Sequence, residues 1–224
     1  RTHFGIFAPG VTQLFPEGHI INLHPWEHNE VAPCLSAALD TDVPLIAIHL
    51  TRPAITIPDR KALGMDSHLY ASKGAYIIKD YDQNLDKEGV IIVRGTSSTN
   101  SLVNLLPRLK KKGPNVKVIS AISWELFKRQ PKEYRQSLIK DNEWHDSMII
   151  TNGAKKLMHK WTANSIVADY SLSPDFDNQW RTGGSVEQIV TEARLDSNSI
   201  WEGIMRFVSD RSKRLSALRN SVKY

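Results

Sequence analysis

The strongest constraint on this chain is a regular exchange between short apolar runs and segments with helical periodicity. His19 to Leu23 (HIINL) and Val43 to Leu50 (VPLIAIHL) read as strands. Between them, Glu27 to Leu39 puts Val31, Cys34, Leu35, Ala38 and Leu39 on one helix face. Glu27 and Glu30 fall in that helix's first turn, where the dipole favours negative charge. Two strands joined by a helix form a crossover, hence a parallel pair. Arg52 to Ser67, rich in Pro, Asp and Gly, reads as a linker or boundary. A second alternation follows. Its predicted strands are Ala75 to Ile78, Gly89 to Val93, Val116 to Ser120 and Ser147 to Thr151, with Ile166 to Ala168 as a short last one. Its predicted helices are Asn100 to Lys112, ended by Gly113-Pro114; Trp124 to Ile139, broken near Pro131; Ala154 to Thr162; Ser185 to Ala193; and Asn198 to Asn220. The pattern predicts part of one α/β unit, then a complete α/β domain.

Composition removes several classes. With 41% hydrophobic and 24% charged residues over 224 positions, collagen-like, coiled-coil and disordered chains are out. One cysteine allows neither an intrachain disulfide nor a thiolate-rich zinc site, so a reducing compartment, the cytoplasm, is expected. No apolar run approaches the ~18 residues of a membrane helix. The chain has no initiator Met and opens in what reads as loop, as expected of a fragment. The net charge of +5 sits at the far end: residues 204–224 carry six basic side chains against Asp210 alone. Trp201, Ile204, Met205, Val208, Leu215, Leu218 and Val222 give this end an apolar face, expected to pack with the charges outward. Neither nucleic acid nor membrane is expected as a partner.

Isolated residues offer little chemistry. His24 and His28 have i, i+4 spacing, but Pro25 and Trp26 interrupt a helix there, so loop or capping roles outweigh a metal site. Arg108, Lys110, Lys111 and Lys112 end a predicted helix, where cations complement the dipole. Gly95 to Ser98 lies between a strand and a helix and could hold an anion, but matches no phosphate-loop fingerprint; a turn capped by Ser or Thr is the simpler reading. Cys34, on an apolar helix face, reads as a small core residue rather than a nucleophile.

The order of local motifs says more. Val118 to Phe127 (VISAISWELF), then Gln130, Tyr134-Arg135 and Leu138, resembles the transketolase C-terminal domain, with its V-S-M-P-S, F-x-x-Q and Y-R-x-x-x-L elements. Ala71 to Asp80 is similar to the family's A-x-G-x-Y-x-x-x-D, Gly89 to Thr96 to its strand followed by G-[ST], and Gly184 to Val190 to its G-x-T-x-E-N-I-V. At the front, Thr2-His3 resembles T-H-D, Gly10 to Gln13 part of D-G-P-T-H-Q, and Leu50-Thr51-Arg52 the L-[ST]-R that ends the pyrimidine-binding domain.

The resemblance implies an α/β fold with a three-layer, mostly parallel sheet. It implies the end of a pyrimidine-binding domain over 1–60 and a C-terminal domain over 61–200, and the charge and apolar spacing above add a basic amphipathic helix over 201–224. It also implies a parent enzyme that transfers two-carbon ketol units between sugar phosphates, as a homodimer using thiamine diphosphate and Mg²⁺. His3, Gln13 and Arg52 would lie along the substrate channel, Gln13 standing near the family's second His. A loop-ordering His and a strand-end Arg paired to a carboxylate are the plain alternatives. The family's G-D-G…N segment and its activating glutamate are missing here. No catalytic or cofactor-binding residue is therefore assigned, and the fragment alone is expected to be inert. The chain also departs from the family. Ala8 to Gln13 lacks the acidic residue and the second His, and Asp169 to Ser173 replaces G-x-x-x-F-G. A 2-oxo acid dehydrogenase E1-like parent and a non-catalytic α/β module are the rivals.

Overall fold

Every residue from Val90 to Arg94 is buried, as in a strand with parallel neighbours on both sides and helices on both faces. The protein was studied as a computed structural model. It describes residues 2–3, 5–52, 54–179, 181 and 183–221, without the side chains of residues 2 and 3. Strand β1 (Thr2–His3) precedes a 3₁₀ segment, Ala8–Leu14. Then come β2 (Ile20–Leu23), α1 (Val31–Leu39), β3 (Leu45–Ile48) and α2 (Arg60–Leu63). The larger unit runs through β4 (Ala75–Lys79), β5 (Val90–Arg94), α3 (Thr96–Lys112) and β6 (Lys117–Ala121). It continues with α4 (Trp124–Arg129), α5 (Lys132–Leu138), α6 (Asp141–His145) and β7 (Ser147–Thr151). After a 3₁₀ segment over Lys155–Trp161 come α7 (Ser165–Asp169), β8 (Gly183–Gly184), α8 (Val186–Glu192), α9 (Ser197–Ser209) and α10 (Arg211–Ser221).

The main sheet has the order β4-β6-β5-β7, with β5 parallel to both neighbours and β4 an antiparallel edge. Helices cover both faces, giving a three-layer α/β fold. Strands β2 and β3 form a separate parallel pair, as the crossover predicts. One face of the main sheet, with Ile91 and Val93, packs on Leu102, Leu106, Ile204 and Phe207; Ile21, Leu23 and Trp26 join the same apolar cluster. On the other face Trp124, Phe127, Trp144 and Trp161 pack edge-on and tilted, with centroids 5.0 to 6.4 Å apart. Gly74 makes the turn into β4 at φ +82°, and its carbonyl accepts from the Ile122 and Ser123 N–H groups. A Cβ there would overlap the Phe127 nitrogen and the Ser123 oxygen.

Several sequence expectations need correction. Ile166 to Ala168 is not a strand but the centre of α7, because the Asn164 side chain accepts from the Val167 N–H and caps a helix there. Leu172 instead forms a parallel bridge to Ile150. The Ala154–Thr162 helix is a 3₁₀ segment. The last helix is two, α9 and α10, with Asp210 between them, and Val222 lies outside the described residues. Its charges do not all face outward: Arg214 is 2% exposed, with Nη1 2.9 Å from Asp146 Oδ1 and its guanidinium 3.7 Å from the Phe207 ring centroid. The 17-residue α3 begins at Thr96 rather than Asn100, and its N-cap is Gly95 with no side-chain cap; Ser98 Oγ turns back to donate to the Arg94 carbonyl.

Arg52 to Ser67 is no slack linker. Arg60, at the start of α2, reaches into the core and donates from Nε to Glu27 Oε1 (2.7 Å) and from Nη2 to Glu30 Oε1 (2.8 Å) and Tyr76 Oη (3.1 Å). Tyr76 also donates to Glu30, and the Trp26 indole N–H donates to Tyr76 Oη at 2.7 Å. Glu27 and Glu30 thus lie before α1 rather than in its first turn, and both are buried. Burial pushes Glu30 up from 4.5 to about 7, against the lowering pull of Tyr76, the Trp26 N–H and Arg60.

Replacing Arg60→Met leaves two buried carboxylates without their cation and should cost about 3–5 kcal/mol in urea unfolding at neutral pH. Glu30, whose pKa is already raised, would protonate more readily once Arg60 is gone. The loss should therefore shrink as pH falls toward about 7 and level off below it.

Candidate functional site

The C-terminal ends of β5 and β7 open onto a cleft of about 770 Å³. Strand β6 lies on one side of β5 and β7 on the other, a strand-order reversal where parallel α/β sheets place ligands. The ends of β2 and β3 form the opposite wall with His24 and His49, and α8 and the start of α9 close a third side. The volume suits a small-molecule site.

The two histidines meet through register. Strands β2 and β3 pair from Ile20↔Leu45 to Leu23↔Ile48, so the next residue on each strand is a histidine. The His49 N–H donates to Leu23 O at 2.9 Å and the His24 N–H to Ile122 O at 2.8 Å. The rings stack at 4.4 Å with 9° between planes. His49 Nε2 lies 3.3 Å from both Asn22 Oδ1 and Thr12 Oγ1, while buried His24 Nε2 has no hydrogen-bond partner among the described residues. Desolvation, then the charge of Arg94, then His49 hold the His24 pKa well below its ordinary value; desolvation and Arg94 lower that of His49.

Arg94 is buried at the end of β5, beside Gln13, Asn22, Glu125 and Lys160. Burial pushes it down to about 10, and Glu125 offsets this only in part. Glu125 is itself engaged by Lys160 at 3.0 Å and accepts from the Asn22 N–H at 3.2 Å. At φ +95°, Gly95 turns the chain into α3, and a Cβ there would overlap the Asn152 amide. Cys34 is fully buried, its thiol pushed up to about 12 mainly by desolvation, so it is a core residue as expected.

The residues singled out from sequence distribute around these hollows. Arg52 is exposed and lines the large cleft. Gln13 lines the small neighbouring hollow and donates to Leu157 O at 3.1 Å; His24 borders both. His3 pairs through its backbone with Gly183, and its side chain lies outside the described residues. His28 is exposed, whereas His24 is buried. No group of three His, Cys, Asp or Glu able to hold a metal occurs among the described residues. Sequence reasoning missed His49 and Arg94. The signal for His49 was two paired strands each ending in His; Arg94 gave only a charge closing an apolar run.

Because both histidines resist protonation when folded, the unfolded chain takes up more protons below pH 6.5, and stability falls as pH drops through that value. Between pH 6.5 and about 5, the fall in Tm should be shallower in a His24→Gln/His49→Gln variant than in the wild type.

Residues 74–170 match the family model of the transketolase-like TK C-terminal domain. The chain is 31% identical over 124 residues to a chloroplastic transketolase of Craterostigma plantagineum, covering 54% of this chain and 22% of that one. It is 26% identical over 138 residues to a Staphylococcus epidermidis transketolase, covering 62% and 20%. The Pichia stipitis transketolase in complex with sedoheptulose-7-phosphate shares the fold, with a TM-score of 0.72 at 18% identity over 91% of this chain and 27% of that one. Leishmania mexicana transketolase aligns with a TM-score of 0.68 at 17% identity, covering 92% and 27%. The chain thus spans only about a fifth to a quarter of the relatives it matches. The ordered motifs, the family match and the shared three-layer fold lead to one statement: residues 74–170 of this chain are similar to the C-terminal domain of transketolases.

Proposed function

We propose that this chain is the C-terminal portion of a transketolase-like, thiamine-diphosphate-dependent transferase that moves two-carbon ketol units between sugar phosphates. The match over 74–170 carries the reading. In it, residues 1–60 end the pyrimidine-binding domain, 61–200 form the C-terminal domain and 201–224 the terminal helices. His3, Gln13 and Arg52 lie along the substrate channel, and the rest of the parent and a second copy complete the enzyme. A guanidinium at the rim of a cleft is well suited to grip a phosphate.

The described residues do not fit the cofactor. No acidic cluster able to hold Mg²⁺ occurs among them, and the strand-to-helix turn at Gly95 lacks a diphosphate fingerprint. No step of the reaction is assigned to this chain through thiamine diphosphate; that chemistry belongs to the remainder of the parent. Its contribution is packing and one wall of the channel. The departure at Ala8 to Gln13, with Gln13 tied to Leu157 O, favours a 2-oxo acid dehydrogenase E1-like activity as the second reading.

Ketol transfer by the full-length parent from a ketose phosphate to an aldose phosphate is the expected result; turnover of a 2-oxo acid instead would overturn it. In that parent Arg52→Ala should raise KM for phosphorylated substrates about 10- to 100-fold, the loss of one charge-assisted hydrogen bond, with a smaller change in kcat. Calorimetric titration of the 224-residue chain with thiamine diphosphate should give no saturable micromolar binding.

A further inference from the structure

We infer that the small hollow beside the end of β5 binds a single halide ion, chloride, between the Arg94 guanidinium and the Asn22 side-chain amide. Such a site goes beyond the proposed function and holds whichever reaction the parent performs. It is separate from the large cleft, since His24 alone lines both. Arg94 ends β5 and Asn22 lies within β2, so two strands hold the donors in place. Arg94 is 6% exposed and Asn22 5%. Neither the guanidinium nor Asn22 Nδ2 donates to any described residue, and none of these nitrogens is sealed from space the size of a water. Both residues line the hollow and neither lines the cleft, so their open donors face the hollow.

Charge and size choose the ligand. Among the residues lining the hollow, Arg94 and Lys160 are cations and Glu125 is the one acid; His24 and His159 can add only positive charge. Glu125 is engaged elsewhere, accepting from Lys160 Nζ at 3.0 Å and from the Asn22 N–H at 3.2 Å. A positive charge is therefore left buried without a counterion, and burial pushes the Arg94 pKa down to about 10. Such a charge is costly unless an ion of opposite sign joins it. The hollow measures about 20 Å³. One water-sized particle takes roughly 10–15 Å³, so a single atom fits and a carboxylate or phosphate group does not. A water there would accept from only some of the N–H groups that the guanidinium and the amide present, and would leave the charge uncancelled. A chloride ion accepts from several donors at once and cancels it. Leu157 and Trp161 close the apolar side, which suits a polarisable, weakly hydrated anion.

Thermal unfolding of this chain in sodium chloride against equimolar sodium gluconate tests the assignment, because gluconate matches the ionic strength but cannot enter the hollow. With a Kd on the order of 10 mM, Tm in about 100 mM chloride should exceed that in gluconate by about 3–6 °C and saturate with concentration. Arg94→Met removes the charge while Glu125 keeps Lys160, so the variant should fold and its chloride-minus-gluconate difference should drop below about 1 °C. Should that variant fail to fold, crystals of the wild-type chain soaked in sodium bromide decide, and an anomalous peak beside Arg94 and Asn22 is the expected result. Equal Tm in the two salts, an unchanged difference in folded Arg94→Met, or a hollow holding only water in the bromide crystals would each overturn the inference.

Discussion

The buried contact of Arg60 with Glu27, Glu30 and Tyr76 is the interaction on which the rest of the arrangement depends. It draws together the approach to α1, the segment before β4 and β4 itself, three stretches far apart in sequence. The planar guanidinium suits this role, since it presents several donors in one rigid plane to two carboxylates and a phenol. Its stacking against Trp26 and Tyr76, at 5.6 and 5.1 Å, fills the remaining space with aromatic faces. With that node in place, the β2–β3 pair is fixed against the main sheet, and His24 and His49 face the ends of β5 and β7.

The charge at the chain terminus takes on a similar meaning. By its charge alone, a basic last helix is a surface for an anionic partner. Instead, Arg214 is turned inward against Phe207 and Asp146, and Arg211 reaches the same carboxylate at 2.7 Å. Part of the terminal charge is thus structural, clamping α10 beside the residue that precedes β7. Gly89 adjoins this packing, because a Cβ there would meet the Phe207 ring at 2.6 Å.

Much of the fold was legible because buried parallel strands write themselves as continuous apolar runs. Val90 to Val93 and Met148 to Ile150 could hardly be anything else. What failed was local or long-range. Ile166 to Ala168 has strand composition, but the Asn164 cap decides for helix, a contest between side-chain hydrogen bonding and apolar pattern. The span Arg52 to Ser67 looked like linker because, beyond a local bond to the Asp66 carbonyl, Arg60 finds its side-chain partners about thirty residues before it and sixteen after, which no local window contains. The candidate site suffered likewise: Arg52 and Gln13 were nameable through family motifs, whereas the His24–His49 stack exists only once strand register is known.

The fit of the Asn152 amide into the space above Gly95 carries an evolutionary consequence. The two positions lie at the ends of adjacent strands, and the room one side chain occupies is the room the other has given up. They should therefore vary as a pair across related sequences. A residue larger than glycine at the first position must be accompanied by a smaller one at the second, and by a backbone no longer at φ +95°.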